Sequence, residues 1–195
     1  MSINTYIVAG LGNPGPTYQW TRHNAGFIFL DHLAQQENIS FSKKTFSGFC
    51  GEWNFAGIRL ILLKPQTFMN LSGNSIIQAL QFHKLQISNL IVIHDELDLP
   101  FGTVRLKLGG GHGGHNGLRS IMETLGKSDF TRLRIGIGKS PYGDTTSHVL
   151  GKIPPDQLEG LPRVLGGGLE MLTVMLKEGL PKSMSLYNNK NFLEG

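Results

Sequence analysis

The sequence predicts an α/β fold, a single domain over residues 1–195 with a twisted, mostly parallel (mixed) central sheet and helices on both faces. Two observations lead to this prediction. Nearly continuous apolar runs of β-forming residues recur along the chain, as expected for strands covered on both faces. Stretches with apolar residues at helical spacing alternate with these runs, which is typical of a layered α/β domain. A chain of this length fits one domain with a sizeable core.

The first strand and the first helix flank a tight turn. Residues 5–11 are an apolar run that predicts a strand, and the Asn-Pro-Gly-Pro sequence at 13–16 must turn the chain where that strand ends. Helical spacing of apolar residues predicts a helix over 25–37. His23 therefore lies at or near a helix start.

The middle of the chain continues the alternation of strands and helices. Residues 46–55 and 57–64 predict two strands joined by a turn, and a helix is predicted over 72–85. The third apolar strand, 90–93, ends directly in His-Asp-Glu-Leu-Asp at 94–98. Polar side chains thus follow a buried strand without any spacer.

The second half predicts two strands, 101–108 and 133–137, with a helix over 118–125 between them. A long helix is predicted over 155–178, although three consecutive glycines inside it cost about 1 kcal/mol each relative to alanine. Close packing against a neighbouring element could explain these glycines.

The loop at 109–117 contains six glycines in nine residues, together with His112, His115 and Asn116. Glycine lets the backbone take left-handed angles and pass close to a ligand. Because a helix is predicted next, its unpaired N–H groups and positive dipole end suit a phosphate or a developing oxyanion. A flexible linker is the alternative, but linkers rarely carry two imidazoles and an amide so close together.

Positive charge is concentrated beside this loop. The formal net charge is +4, yet residues 105–139 contain seven basic and two acidic side chains, and the remaining residues are close to neutral. Such clustering predicts a site for a polyanion, with nucleic acid as the leading candidate and a solvated charged face as the alternative.

The sequence also indicates the cellular compartment of the protein. The first residues lack the pattern of a signal peptide, and no run reaches the roughly 18 apolar residues of a membrane helix, so we expect a cytoplasmic protein without a membrane segment. A single cysteine, Cys50, excludes an internal disulfide.

Polar residues follow several predicted strands. In parallel sheets, ligands bind beyond the carboxyl ends of the strands. Asn13, Asn70 and Asp95 each lie within a few residues of such an end, and His115 and Asn116 lie in the loop after another strand. The sequence therefore predicts an active site where these residues converge.

The residue types at this site indicate hydrolysis by water. His23 is the natural general base, since its side chain titrates near neutrality, and Asp95 would hold its useful tautomer. No serine or cysteine stands in a nucleophile-elbow pattern, so water would attack the substrate directly. Asn13, Asn70 and Asn116 could donate N–H groups to a developing oxyanion, where losing one donor typically costs roughly 3 to 4 kcal/mol.

Each of these residues has a simpler interpretation. A lone asparagine in a loop is often a turn or cap residue. The carboxylates at 95–98 could form a solvated loop or a Mg²⁺ site. His112 and His115 resemble part of a zinc set, but no motif completes it, and no metal site is predicted. Phe68 and Met69 could be core residues or an apolar wall beside Asn70.

Several stretches of the chain, in order, resemble the motifs of bacterial peptidyl-tRNA hydrolases. They are VAGLGNPG at 8–15, RHNAG at 22–26, KPQTFMNLSG at 64–73, HDELD at 94–98, the glycine loop with its flanks at 107–119, and RLRIGIG at 132–138. Several long motifs in register are far more specific than any single one. The resemblance covers most of the chain as far as Gly138.

The resemblance implies hydrolysis of the ester that joins a peptide to the 3′-terminal ribose of tRNA, which recycles tRNA. It implies that His23 is the base and Asp95 its partner, with Asn13 and Asn116 also in the catalytic set. Peptide and ester binding is implied for Tyr18, Met69, Asn70, His115 and Asn116.

The resemblance also implies which residues bind tRNA and which cofactors and partners the protein needs. Arg105, Lys107 and Arg134 fall where basic residues of the family contact tRNA, at its acceptor stem and 3′ end. Arg105 stands where the family often has lysine, which keeps the charge but changes how a phosphate is held. The family needs no metal or other cofactor, and its members are usually monomers without an obligate protein partner.

Two other classes of function remain open. One is an RNA-binding module of the same fold without catalysis, against which the intact set of His23, Asp95 and the asparagines argues. The other is a different hydrolase or a phosphorylase that uses the glycine loop for a small anion. A small substrate needs no basic segment of this extent.

Overall fold

A seven-stranded mixed sheet lies at the centre of the computed structural model, which describes residues 4–194. The strands are β1 (Thr5–Gly10), β2 (Lys43–Thr45), β3 (Gly48–Phe55), β4 (Ile58–Pro65), β5 (Leu90–Glu96), β6 (Val104–Leu108) and β7 (Thr131–Gly136). Their order is β2-β3-β4-β1-β5-β7-β6. The inner strands β4, β1, β5 and β7 are parallel, whereas the outer pairs are antiparallel. The predicted mixed α/β fold is confirmed.

Helices cover both faces of this sheet. They are α1 (Ala25–Glu37), α2 (Ser72–Phe82), α3 (Asn116–Leu125), α4 (Thr145–Leu150), α5 (Pro155–Glu178) and α6 (Leu180–Tyr187). Residues of α1 and α5 pack with Ile91 and Ile93 in one core, and residues of α2 and α3 pack with Leu90 and Val92 in the other. This alternation along β5 is why its sequence is apolar without a break. None of the helices within residues 4–194 is long and apolar enough to cross a bilayer.

The predicted bounds of α1 and α5 agree with the structure, and other bounds need correction. Helix α2 ends at Phe82 and not at residue 85, because Lys84 takes a left-handed φ of 54°. Strand β6 begins at residue 104 and not 101, and β7 spans 131–136 in place of 133–137. Helix α3 begins at Asn116, two residues before the predicted start at Leu118.

One correction concerns the candidate site directly. Strand β5 continues to Glu96 and does not end at residue 93, so His94 and Asp95 are themselves strand residues paired with β7. Parallel pairing with β7 keeps this part of the backbone in the sheet although its side chains are polar. The Asp95 carboxylate is therefore positioned by the sheet and not by a loop.

Two of the three consecutive glycines in α5 are explained by close packing. A Cβ on Gly167 would lie 2.2 Å from the Phe192 ring, and one on Gly168 would lie 2.9 Å from the Phe29 ring. Nothing lies within 4 Å of a Cβ on Gly166. Packing therefore accounts for Gly167 and Gly168, and nothing in the structure explains Gly166.

A contact between two glycines fixes the start of α1 against the sheet. A Cβ on Gly26 would lie 2.2 Å from the Leu11 nitrogen and 2.3 Å from the Ile93 carbonyl oxygen. A Cβ on Gly10 would lie 2.3 Å from the Gly26 carbonyl oxygen. Backbone thus packs on backbone a few residues from His23.

Replacing Gly26 with alanine should therefore destabilise the fold. We expect the free energy of unfolding to fall by about 3 kcal/mol, since two backbone segments must move apart to admit one methyl group. Urea denaturation followed by circular dichroism measures the change. The matched control is Gly166→Ala, which enters open space in a helix and should raise stability by roughly 0.5 to 1 kcal/mol. Equal stability of the two variants would contradict this packing.

Candidate active site

An open cavity of about 760 Å³ lies at the carboxyl ends of the parallel strands. All residues predicted to act in catalysis or in peptide binding line it, namely Asn13, Tyr18, His23, Met69, Asn70, Asp95, His115 and Asn116. They come from the loop after β1, the segment after β4, the end of β5 and the glycine loop before α3. The fold thus brings together residues that are far apart in the sequence.

His23 lies in a 3₁₀ turn, Arg22–Asn24, directly before α1, and it is buried. Its Nδ1 lies 3.0 Å from Asp95 Oδ1 and 3.1 Å from Asp95 Oδ2. Because an ionised carboxylate can only accept, Nδ1 carries the proton and Nε2 keeps its lone pair. Within residues 4–194, no protein group hydrogen-bonds to this Nε2. The ring is in the tautomer that a general base requires.

The Asp95 carboxylate is buried and accepts hydrogen bonds from two imidazoles. Besides His23, His115 approaches with Nε2 at 2.9 Å from Oδ1. Burial alone would raise the pKa of Asp95, but the electrostatic attraction and N–H hydrogen bonds of the His115 and His23 rings outweigh it and hold this pKa below its usual range. Asp95 is therefore ionised, and two donors share its charge.

His115 is the N-cap residue of α3. Its Nδ1 accepts from the backbone N–H groups of Gly117, at 3.1 Å, and Leu118, at 3.3 Å. Its ring centre lies 4.8 Å from that of His23. Both ring nitrogens of His115 are therefore engaged by the protein.

A third imidazole, that of His94, lies beneath these two. It is fully buried, and its Nδ1 donates to the Asp95 carbonyl oxygen at 2.7 Å. Burial lowers the pKa of His94 to about 3, and nearby His115 adds to the effect. His94 is thus a neutral ring packed edge-on against His115 at 5.1 Å. In the sequence His94 is only the first polar residue after an apolar strand, and for that reason it was not among the predicted site residues.

The atoms of His23, Asp95 and His115 lie within 4.8 Å of one another, a spacing that a metal ion could use. However, a histidine binds a metal through a ring lone pair, and both nitrogens that face Asp95 carry protons in this arrangement. His112, the other half of the partial zinc pattern, instead accepts from the Gly114 N–H at 3.0 Å. The arrangement favours a hydrogen-bonded network over a metal centre.

Asn13 is held from two sides. The Asn24 side chain accepts from the Asn13 N–H at 2.8 Å and donates to its carbonyl at 3.0 Å, while Asn13 Oδ1 accepts from the Met69 N–H at 2.8 Å. Because the Met69 N–H can only donate, it fixes which side of the Asn13 amide is oxygen. The Asn13 NH₂ group has no hydrogen-bond partner among residues 4–194. Asn24 is buried and orients Asn13, a contact that its place in the sequence does not indicate.

The other predicted peptide-binding residues are more accessible. Asn70 and Asn116 are exposed at the start of helical segments, and the Asn116 oxygen makes only a long contact, 3.4 Å, with Arg119. Tyr18 is half-buried, whereas Met69 is buried. Polar amides thus lie beside an apolar floor.

The predicted tRNA-binding residues lie outside the cavity, on β6 and β7. Arg105 pairs with Arg134 and Lys107 with Arg132 across these antiparallel strands. The alternate residues point into the core around α1 and α5, so these four side chains share the opposite face. Lys107 is exposed, whereas Arg134 donates through Nε to Glu96 at 3.0 Å.

Arg132 differs from its neighbours on this face. It is buried, and its guanidinium donates to the carbonyl groups of Gly110 and Gly111. The charge pattern counted it among the basic surface residues, and the structure shows it to be an anchor of the glycine loop.

Helix α4 lines the cavity through Thr145, Thr146, Val149 and Leu150. It has no buried residue of its own. Hydrogen bonds connect it to the rest of the site. His148 Nε2 donates to the Gly138 carbonyl at 2.9 Å, the Arg22 guanidinium donates to the His148 carbonyl at 3.2 Å, and the Arg22 backbone N–H donates to the Gly151 carbonyl at 3.0 Å. Its short, polar sequence offers no apolar periodicity, and for that reason we did not predict it.

Comparison with known proteins agrees with this geometry. The family model described as peptidyl-tRNA hydrolase matches residues 7–194. A peptidyl-tRNA hydrolase of Pelobacter propionicus is 69% identical over 192 residues, which cover 98% of this chain and 100% of that protein. One of Trichlorobacter lovleyi is 62% identical over 193 residues, with coverage of 99% and 100%.

The fold agrees with a solved structure as well. The crystal structure of peptidyl-tRNA hydrolase from Acinetobacter baumannii matches with a TM-score of 0.89 at 38% identity, over 98% of each chain. The resemblance found in the sequence motifs is confirmed over nearly the whole length. The chain therefore belongs to the peptidyl-tRNA hydrolase family of enzymes.

Proposed function

We propose that the protein hydrolyses the ester between the peptide and the 3′-terminal ribose of peptidyl-tRNA, with His23 as the base that activates water. The observation that carries this proposal is the His23–Asp95 hydrogen bond, which leaves the lone pair of His23 Nε2 without a protein partner among residues 4–194, in a cavity lined by amides. Release of tRNA and peptide in this way recycles tRNA during translation.

The proposed steps balance atoms and protons. His23 Nε2 takes a proton from water while the water oxygen forms a bond to the ester carbonyl carbon. The tetrahedral intermediate then breaks its bond to the ribose oxygen, and that oxygen takes the proton from His23. The products are a peptide with a free carboxyl group and tRNA with a free 3′-terminal hydroxyl. Asp95 stabilises the imidazolium between the two proton transfers.

The amides supply the remaining chemistry. The Asn13 NH₂ group is oriented by Asn24 and Met69 before any substrate arrives, which suits a donor to the developing oxyanion. Asn116 is placed to assist it, at the start of α3. Asn70 and Tyr18 would bind the peptide backbone, while Met69 forms the apolar floor. Binding through the backbone tolerates peptides of varied sequence.

The proposed tRNA surface is the basic face of β6 and β7, with Arg105, Lys107 and Arg134. Contacts to phosphates give affinity without base specificity, as a substrate class spanning many tRNAs requires. We propose that this face meets the acceptor stem while the 3′ end enters the cavity, and that a single copy of the chain suffices.

The test of the function is release of free tRNA from labelled N-acetyl-aminoacyl-tRNA by the purified protein in EDTA. We expect multiple turnovers, with the released tRNA able to accept an amino acid again. Tight tRNA binding without turnover would overturn the proposal and favour a non-catalytic RNA-binding module.

Lys107→Ala should mainly raise the apparent KM, in a way that depends on salt, since the exposed ammonium acts through phosphate charge. We expect the slope of log affinity for tRNA against log salt to become shallower by about one. Filter binding between low and physiological salt measures it. Lys44→Ala, an exposed lysine on β2 at the other edge of the sheet, is the matched control. A defect that does not change with salt would contradict a phosphate contact.

A further inference from the structure

We propose that His115 is a positioning residue for this reaction: as a neutral hydrogen-bond donor it shares the charge of Asp95 with His23 and so sets the pH range in which His23 is a free base. The inference rests on the function proposed above. It differs from the role that the sequence resemblance implies for His115, which is contact with substrate.

Both ring nitrogens of His115 are engaged by protein groups. Backbone N–H groups can only donate, so the contacts from Gly117 and Leu118 require a lone pair on Nδ1. The proton must then sit on Nε2, which points at Asp95 Oδ1 at 2.9 Å. A substrate group could bind either nitrogen only by displacing a partner that the fold already supplies.

Nδ1 of His115 is already used as an acceptor by two backbone N–H groups of α3. Protonation of Nδ1 would place an N–H against two other N–H groups at the start of α3. The positive end of the helix dipole lies at the same place and also disfavours a cation there. His23, by contrast, has an Nε2 without a protein partner in residues 4–194. Of these two rings, His23 is the one built to gain and lose a proton.

Asp95 divides its charge between two imidazoles. Its Oδ1 accepts from His23 at 3.0 Å and from His115 at 2.9 Å, so one carboxylate charge serves two donors. Without the His115 donor, the whole charge would act on His23 and favour its protonated form. The free base would then appear only at higher pH.

Other titratable or charged groups surround this trio. His94, buried beside Asp95, stays neutral because burial lowers its pKa to about 3. The remaining groups are Glu96 on β5, Arg132 on β7, His112 in the glycine loop, Arg119 on α3, Arg22 in the 3₁₀ turn and Tyr18 before it. None of them donates a hydrogen bond to the Asp95 carboxylate in the part of the chain that the structure describes. The two imidazoles therefore dominate its environment.

The variant His115→Ser separates the two contacts of this ring. Serine is a good N-cap and keeps an acceptor for the α3 amides, but it offers no donor that reaches Asp95. We expect the pH of half-maximal kcat on the acidic side to rise by about one unit, the value of one charged hydrogen bond. KM for N-acetyl-aminoacyl-tRNA should stay within about two-fold.

The matched control is His112→Ser, in the same loop and cavity but without contact to Asp95. The acidic side of the pH profile of kcat for this variant should coincide with that of the unaltered protein. If the acidic side of the pH profile of kcat does not shift in His115→Ser, the proposal is overturned. A raised KM in that case would favour contact between His115 and the substrate.

Nitrogen NMR of the histidine rings tests the same proposal without activity or substitution. The His115 ring should remain the neutral Nε2–H tautomer throughout the titration of His23. Titration of His115 together with His23 would overturn the proposal. Because this readout needs no turnover, it distinguishes failure of the His115 role from failure of the proposed hydrolysis.

Discussion

His23→Ala is expected to reduce kcat by about a thousandfold, within the range that a general base typically contributes. Without the imidazole, no group in the described part of the cavity holds a lone pair aligned by Asp95, and water must attack unassisted. The affinity for tRNA should change by less than a few-fold, since the basic face of β6 and β7 lies outside the cavity. Single-turnover hydrolysis of N-acetyl-aminoacyl-tRNA measures the rate, and filter binding of uncharged tRNA measures the affinity.

The control for this variant is His32→Ala. His32 lies on α1, half-buried, and does not line the cavity. Its replacement should leave the rate nearly unchanged. Should His23→Ala weaken tRNA binding as much as it slows hydrolysis, His23 would be a binding residue and not a base.

Asp95→Asn is expected to reduce kcat by about a hundredfold, less than the loss of His23. The amide offers one acceptor and one donor where the carboxylate offers two acceptors. His115 must take the acceptor, because its Nδ1 is fixed by α3. The NH₂ group then faces His23 Nδ1 and favours a proton on Nε2, where the base needs its lone pair.

The pH dependence of this variant gives a second readout. The amide that replaces the Asp95 carboxylate carries no negative charge, so protonated His23 is less stable and the acidic limb of the rate should move to lower pH. This is the opposite direction to His115→Ser, although both changes act on the same hydrogen-bonded group. Rates between about pH 5 and 8, where histidine ordinarily titrates, measure it.

Asp98→Asn is the control within the same sequence motif. Asp98 is exposed and pairs with Lys139 at 2.9 Å, outside the cavity lining. The hydrolysis rate and pH profile of this variant should match those of the unaltered protein. Activity of Asp95→Asn at the same level would refute the pairing of Asp95 with His23.

The sequence predicted the elements that bury apolar side chains. Strands β1, β4 and β5 were predicted because burial on both faces makes their sequences continuously apolar. Helices α1 and α5 were predicted because burial of one face gives apolar residues at helical spacing. It missed β2, whose Lys43, Lys44 and Thr45 are all exposed, and α4, which has no buried residue. It also missed α6, a short helix after the long α5. Such elements are positioned by tertiary contacts that leave little trace in the local sequence.

The candidate site shows a similar division. The convergence of Asn13, Asn70 and Asp95 followed from one rule, that parallel strands end at the same edge of a sheet. The rule does not place the glycine loop, because β6 is antiparallel to β7 and ends at the opposite edge. The hydrogen bonds that orient these groups did not follow. Asn24 clamps Asn13, and Arg132 anchors the glycine loop, yet in the sequence they read as a turn residue and a surface cation. Which polar group faces which is set by side-chain geometry, and spacing along the chain does not encode it.

The glycine contact at the start of α1 determines when His23, the proposed base, becomes ordered. Because Gly26 rests directly on the backbone of β1 and β5, the turn that carries His23 loses its conformational entropy as the protein folds. None of the free energy of substrate binding is then needed to immobilise His23. That free energy remains available for aligning the ester carbonyl with the attacking water and the amide donors, and so for lowering the activation barrier of hydrolysis.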